Sequence, residues 1–172
     1  MEFQGGEFEL KVFCDENFIN KSFKNSSFIN CQFKNCNLSN VILKNTRIQN
    51  CVFDNCKIMG VNFSECNKLL IGFIFRECLI LMTFFSDLNL RNCIFEKCQV
   101  FECDFYNTNL SYGNFEDSDF KDSKFSNSNL SFASFKNAVN YSIDPNKNII
   151  KKTKFSISGV LGLLDNVDLK IE

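Results

Sequence analysis

Ten cysteines carry the richest chemistry in this chain, and only Cys14 of them falls outside a single register. Thiolates hold zinc and iron–sulfur clusters and act as nucleophiles. Cys31, Cys36, Cys51 and Cys56 come nearest to a site, because 31/51 and 36/56 repeat at the same interval. None of the ten forms a paired CxxC motif. The chain has no His, which removes the commonest general base and the commonest nitrogen ligand of zinc. Seven carboxylates (Glu96, Glu102, Asp104, Glu116, Asp117, Asp119 and Asp122) crowd residues 96–122, where only two Lys accompany them. Carboxylates do acid–base work when a cleft brings them to one proton. No cleft, nucleophile–base pair or phosphate loop is legible here. The thiols therefore read as small buried side chains, with no metal, no cofactor and no disulfide, and the chain as a non-enzyme.

Whatever positions these groups must explain an unusual composition: 22 Phe, no Trp and one Pro in 172 residues. Stepping by five from Phe3 to Phe63 meets only large apolar residues, and stepping by five from Phe75 to Phe135 does the same. A helix would smear that period around its surface, and a continuous strand would turn every second Phe to water. The backbone must turn once per repeat. Short extended sides joined by corners satisfy this and stack into a solenoid. From Ser26 onward, two residues before each centre, nearly all the side chains are small, including the other nine Cys. Two residues after it stand Asn20, Asn25, Asn30, Asn35, Asn40, Asn45, Asn50 and Asn55, then Gly60. Asn and Gly tolerate the positive φ of a type II turn. The ladder loosens at Glu77, Met82, Asp87, Asn92, Lys97 and Glu102, where a different turn is expected.

This pattern, as in FINCQFKNCNLSN at 28–40 and SNSNLSFASFKNA at 126–138, resembles the bacterial pentapeptide-repeat family. The resemblance covers roughly residues 3–140. It implies an all-β fold, a right-handed quadrilateral β-helix of about twenty residues per coil, hence some six coils. The reading divides the chain into a β-helix at 1–140, with a phase shift near 66–74, a connector at 141–155 and a C-terminal module at 156–172. In that module Ile157, Val160, Leu161 and Leu164 follow helical spacing, with Ser156 or Ser158 as N-cap. Val167, Leu169 and Ile171 alternate as a short strand. At the other end, Lys11, Glu16 and Lys21 occupy inward positions and mark a polar cap open to water.

Charge and apolar character are both segregated. Residues 17–63 hold six Lys/Arg and one acid, and 123–154 hold six Lys and one acid. Ile74, Leu79, Leu81, Met82, Phe84, Ile94 and Phe101 are apolar at outward positions, either a partner site or the floor of the junction loop. No apolar run is long enough to cross a bilayer, and no leader opens the chain, which reads as cytoplasmic. The tail is similar to the C-terminal module of quinolone-resistance-type members, which implies a homodimer through Ile157, Val160, Leu161 and Leu164; a plug on its own last coil is the alternative. The same resemblance implies a DNA-mimicking modulator or protector of gyrase or topoisomerase IV, engaged through the acidic band. It implies no direct contact with nucleic acid. A scaffold for another partner, bound through Leu79, Leu81, Met82, Phe84 and Phe101, is the competing reading.

Overall fold

A computed structural model describes residues 3–164. Its chain winds through about seven turns of a four-sided parallel β-solenoid. Each side is a strand of two to four residues or an isolated bridge, built around one inward centre. On the first side the centres run Phe23, Leu43, Phe63, Phe85, Phe105, Phe125 and Ile143. Strands Glu7–Glu9, Ser27–Ile29 and Arg47–Gln49 pair on the second side. Five strands, from Val12–Cys14 to Ile94–Glu96, pair on the third. Lys57–Met59, Leu79–Leu81 and Gln99–Phe101 pair on the fourth. The register places each centre over the one twenty residues earlier, save twenty-two across the junction, as in Phe53↔Phe75, and eighteen at Phe125↔Ile143.

Rings stacked in this register sit one strand spacing apart, so the core is close to a crystal of phenylalanine. Phe33 lies 4.8 Å from Phe53 at 8°, and Phe105 lies 4.9 Å from Phe125 at 4°. These spacings match the ~4.8 Å between hydrogen-bonded strands. Between adjacent sides the rings meet edge to face, as Phe85 and Phe95 do at 83°, the other favoured arrangement of aromatic quadrupoles.

Nearly every corner holds its residue at positive φ, from Leu10 to Lys152; Glu65, in the 3-10 turn Phe63–Glu65, is an exception. Here the expectation of different turns in the second half is corrected. Glu77, Met82, Lys97 and Glu102 take φ of 52°, 48°, 51° and 54°, the same as Asn35 at 53°. The stacked strands on either side dictate the corner, so side-chain preference cannot change it. In the first half the Asn amides also bond along the axis: Asn55 Nδ2 donates to Asn35 Oδ1 at 3.0 Å, and Asn35 Nδ2 to Asp15 Oδ1 at 3.0 Å.

Three other expectations change. The segment 141–155 is not a connector: Ser142–Ile143 and Lys154–Phe155 pair with Lys124–Ser126 and Ser134–Phe135, which is why the solenoid exceeds six coils. A missing pair of residues hides this from the comb, because Ile143 stands eighteen, not twenty, after Phe125. The C-terminal helix is only a 3-10 turn, Val160–Leu163, entered from Gly159 without a side-chain cap. The strand expected at Val167, Leu169 and Ile171 lies outside the described residues. At the junction the insertion folds Ile71 and Phe73 into the core and leaves Leu69 and Leu70 exposed on the second side. At the N-terminal end Lys11, Glu16 and Lys21 stand exposed.

Candidate interaction surfaces

Where the inward small position holds Cys, Ser or Thr, the side chain commonly does something the sequence reading missed: it donates a hydrogen bond. Thr108 Oγ1 donates to the carbonyl of Phe85 at 2.9 Å, and Ser118 Oγ to that of Phe95 at 2.8 Å. Cysteines do the same with longer bonds, Cys51 Sγ to Phe28 O at 3.4 Å and Cys78 Sγ to Phe53 O at 3.3 Å. Each donor is aimed one coil back. A buried carbonyl would otherwise keep an unsatisfied lone pair. The excess of Cys, Ser and Thr over Val, Ala and Gly at this register was the available signal. Burial pushes the thiols of Cys51 and Cys103 up to about 12, so they are protonated donors and not nucleophiles. Cys14 is exposed, and its thiol donates to Asp15 Oδ2 at 3.3 Å.

The acidic band is largely committed to local bonds. Glu96 meets Arg76 at 3.4 Å. Glu116 accepts from Ser134 Oγ at 2.7 Å, and Asp117 from Asn137 Nδ2 at 2.9 Å. Asp104 caps the backbone N–H of Tyr106, and Asp119 accepts from Lys121 N and Asn140 Nδ2. Asp104 stands in register with Lys124, yet neither that pair nor Glu116 with Lys136 closes to an ion pair among the described residues. Of the seven, Glu102 and Asp122 alone have carboxylates with no hydrogen bond or ion pair among the described residues. Both are exposed, at the fourth corner of successive coils.

The same corner carries the apolar patch. Reading along it gives Gly60, Met82, Glu102 and Asp122. On the adjoining face of the fourth side, Met59, Leu81 and Phe101 stack in register. Phe84, 49% exposed, begins the first side next to Met82, which is 45% exposed. Leu79, one row inward, is half-buried. Met59 was not singled out from the sequence; stepping back from Leu81 by the junction interval of twenty-two would have found it. The insertion lies on the second side, so it does not cover this patch.

The tail is pinned by two glycines. A Cβ at Gly159 or Gly162 would collide with Tyr141, so the backbone of the 3-10 turn rests directly on that ring. Leu163 packs on the core. Ile157, Val160 and Leu161 turn away from the solenoid and are 94%, 42% and 53% exposed, and Leu164 is half-buried. Between the turn and the last coil runs a groove of about 730 Å³, lined in part by Asp122, Tyr141 and Gly159. The pocketless rod expected from the repeat is thus interrupted at its end. No helix among the described residues is long and apolar enough to cross a membrane.

No curated protein matches the sequence. Two solved structures of trypsin-treated variants of QnrB1, a plasmid-mediated fluoroquinolone resistance protein, share the fold. The first has a TM-score of 0.64 at 15% identity and covers 99% of this chain and 92% of that one. The second has a TM-score of 0.52 at 18% identity with the same coverage. Profiles for a pentapeptide repeat region and for pentapeptide repeats match residues 26–102 and 103–139. With a repeat that runs from end to end of the solenoid and profiles that take up most of it, the chain belongs to the pentapeptide-repeat family.

Proposed function

We propose that this protein is a non-enzymatic binding module whose interface is the fourth corner, with a type II topoisomerase, gyrase first, as partner. One observation carries the reading. An apolar column, Met59, Leu81 and Phe101, runs beside the two unpaired carboxylates, Glu102 and Asp122, on one edge of a rigid rod. Apolar anchors beside free charge are what protein interfaces use for affinity and steering. The likeness to QnrB1 in fold supports the choice of partner. The acidic band does not serve as a continuous phosphate row, because five of its seven carboxylates are engaged locally. Mimicry of DNA is therefore narrowed to Glu102 and Asp122. Exposed Ile157, Val160 and Leu161, with Leu164 beside them, support an end-to-end homodimer of cytoplasmic rods.

A gyrase supercoiling assay, with and without a quinolone, tests the partner. The wild-type chain changes supercoiling or protects the enzyme, and Glu102→Lys with Asp122→Lys abolishes the effect without unfolding the protein. No effect at tens of micromolar favours the second reading, a scaffold for a different protein. That reading rests on the apolar column and is marked by sensitivity to Leu81→Ser and Phe101→Ser with indifference to the two acids. For the dimer, Leu161→Lys with Leu164→Lys yields monomers by sedimentation, because a buried unpaired charge opposes association. A wild-type monomer at micromolar concentration rejects it.

A further inference from the structure

The second corner, diagonally across the rod, carries a column of another kind. Its residues run Asn30, Asn50, then after the insertion Asn92, Tyr112, Phe132 and Lys152, all at positive φ. Tyr112 and Phe132 hold φ of 60° and 63°, a conformation that bulky side chains avoid and Asn accepts. Their rings stack at 4.8 Å and 10°. The Arg91 guanidinium lies 4.2 Å over the Tyr112 ring, and Lys152 Nζ 5.9 Å from the Phe132 ring. The order along the axis is cation, ring, ring, cation. Lys151 and Lys154 flank it, both exposed. None of these four cations forms an ion pair among the described residues.

The insertion adds a second feature beside the column. Where it breaks the Asn ladder between Asn50 and Asn92, a groove of about 440 Å³ opens, with Ile71, Phe73, Ile74 and Leu90 in its lining and Arg91 at its rim. A groove of mixed lining, with Ile71 and Ile74 beside Asn50 and Asn92, thus continues into a cationic edge that spans three coils, roughly 14 Å at the strand spacing.

We propose that the second corner is a binding site for an acidic protein segment: an apolar side chain of the partner enters the groove, and its carboxylates meet Arg91, Lys151, Lys152 and Lys154. Four cations without counter-ions call for an anionic ligand. The rings decide which kind. Single-stranded nucleic acid is held by bases stacking on free aromatic faces. Both faces of Tyr112 are covered, by Arg91 and Phe132, and Lys152 Nζ stands 5.9 Å from the centroid of Phe132. A ring that is stacked on another and capped by a cation is poorly placed to receive a base, whereas the cations around it remain open to carboxylates. This site is separate from the fourth corner and stands whether or not a topoisomerase is the partner.

Fluorescence anisotropy of the full chain with a fluorescein-labelled peptide, Glu-Glu-Leu-Glu-Phe-Glu-Glu, tests it. Saturable binding that weakens with salt is expected. Arg91→Glu with Lys152→Glu weakens it about tenfold or more, as does Ser in place of the peptide's Leu and Phe. Tyr112→Asn with Phe132→Asn also weakens it without lowering the urea midpoint, since Asn fills this corner in other coils. Absence of saturable binding, indifference to the charge reversal, or equal affinity for a single-stranded oligonucleotide of matched charge overturns the proposal.

Discussion

The corners from Asn20 to Asn55 and those from Glu77 to Lys152 solve one geometric problem with different chemistry. Both sets hold φ near 50–60°. The first uses Asn throughout, and the amides of Asn35, Asn45, Asn50 and Asn55 bond to the coil before. The second spends positions on Met82, Lys97, Glu102, Tyr112 and Phe132, side chains that disfavour this backbone. Such local exceptions in a regular fold are expected where a surface is used for something other than stability. The comparison supports the proposed sites: although Asn107 and Asn137 keep the amide bond in the later coils, those coils also place Met82, Glu102, Tyr112 and Phe132 at their corners.

Core substitutions test the part of the comparison that ought to show no difference. Phe53→Ala and Phe115→Ala each cost about 3–5 kcal/mol by urea unfolding, because each empties one ring from a closed stack. Unequal costs in the two halves break the claim of one common core. Corner substitutions come next. Asn35→Ala loses two axial hydrogen bonds at a left-handed position, about 1–2 kcal/mol in the same experiment. Lys97→Ala at the same corner leaves the midpoint nearly unchanged.

Alkaline unfolding separates the coils that use thiols from those that use hydroxyls. Cys51 and Cys103 titrate near 12 in the fold against an ordinary value of 9.0. Above the ordinary value the unfolded chain loses these protons first, so their stabilisation is whole below it and drains away as pH rises through the folded value. The urea midpoint falls above that pH, and Cys51→Ser with Cys103→Ser flattens the fall. The smallest effect concerns Cys14, whose bond to Asp15 keeps its pKa above the ordinary value. It labels before the buried thiols, and Asp15→Asn quickens labelling at neutral pH by favouring the thiolate.

The period of five made the core legible from Phe3 to Phe135, because every inward centre is a large residue and the odd interval excludes helix and continuous strand. The last coil escaped because Ile143 stands eighteen residues after Phe125, and because Asn140 and Pro145 occupy the count before Phe155, which itself stays twenty after Phe135. The tail looked helical by spacing, yet Gly159 and Gly162 serve close contact with Tyr141, a long-range fact. The band at 96–122 was visible as charge, whereas its pairing was not: the partners of Glu96 and Asp117 stand twenty residues away on neighbouring coils. Tyr112 and Phe132 lay on the turn ladder in plain sight, twenty apart. Only their stacking between Arg91 and Lys152 distinguishes them from irregular turns.

The central claim, that the departing corners are kept at a cost to stability, is tested most directly by Met82→Asn with Glu102→Asn, stacked neighbours at the fourth corner. The account predicts a higher urea midpoint and a gain of about 1–2 kcal/mol, from relief of the left-handed strain and a restored amide ladder. A lower midpoint contradicts it, for it means that Met82 and Glu102 hold the rod together and that the corner was never reserved for a partner.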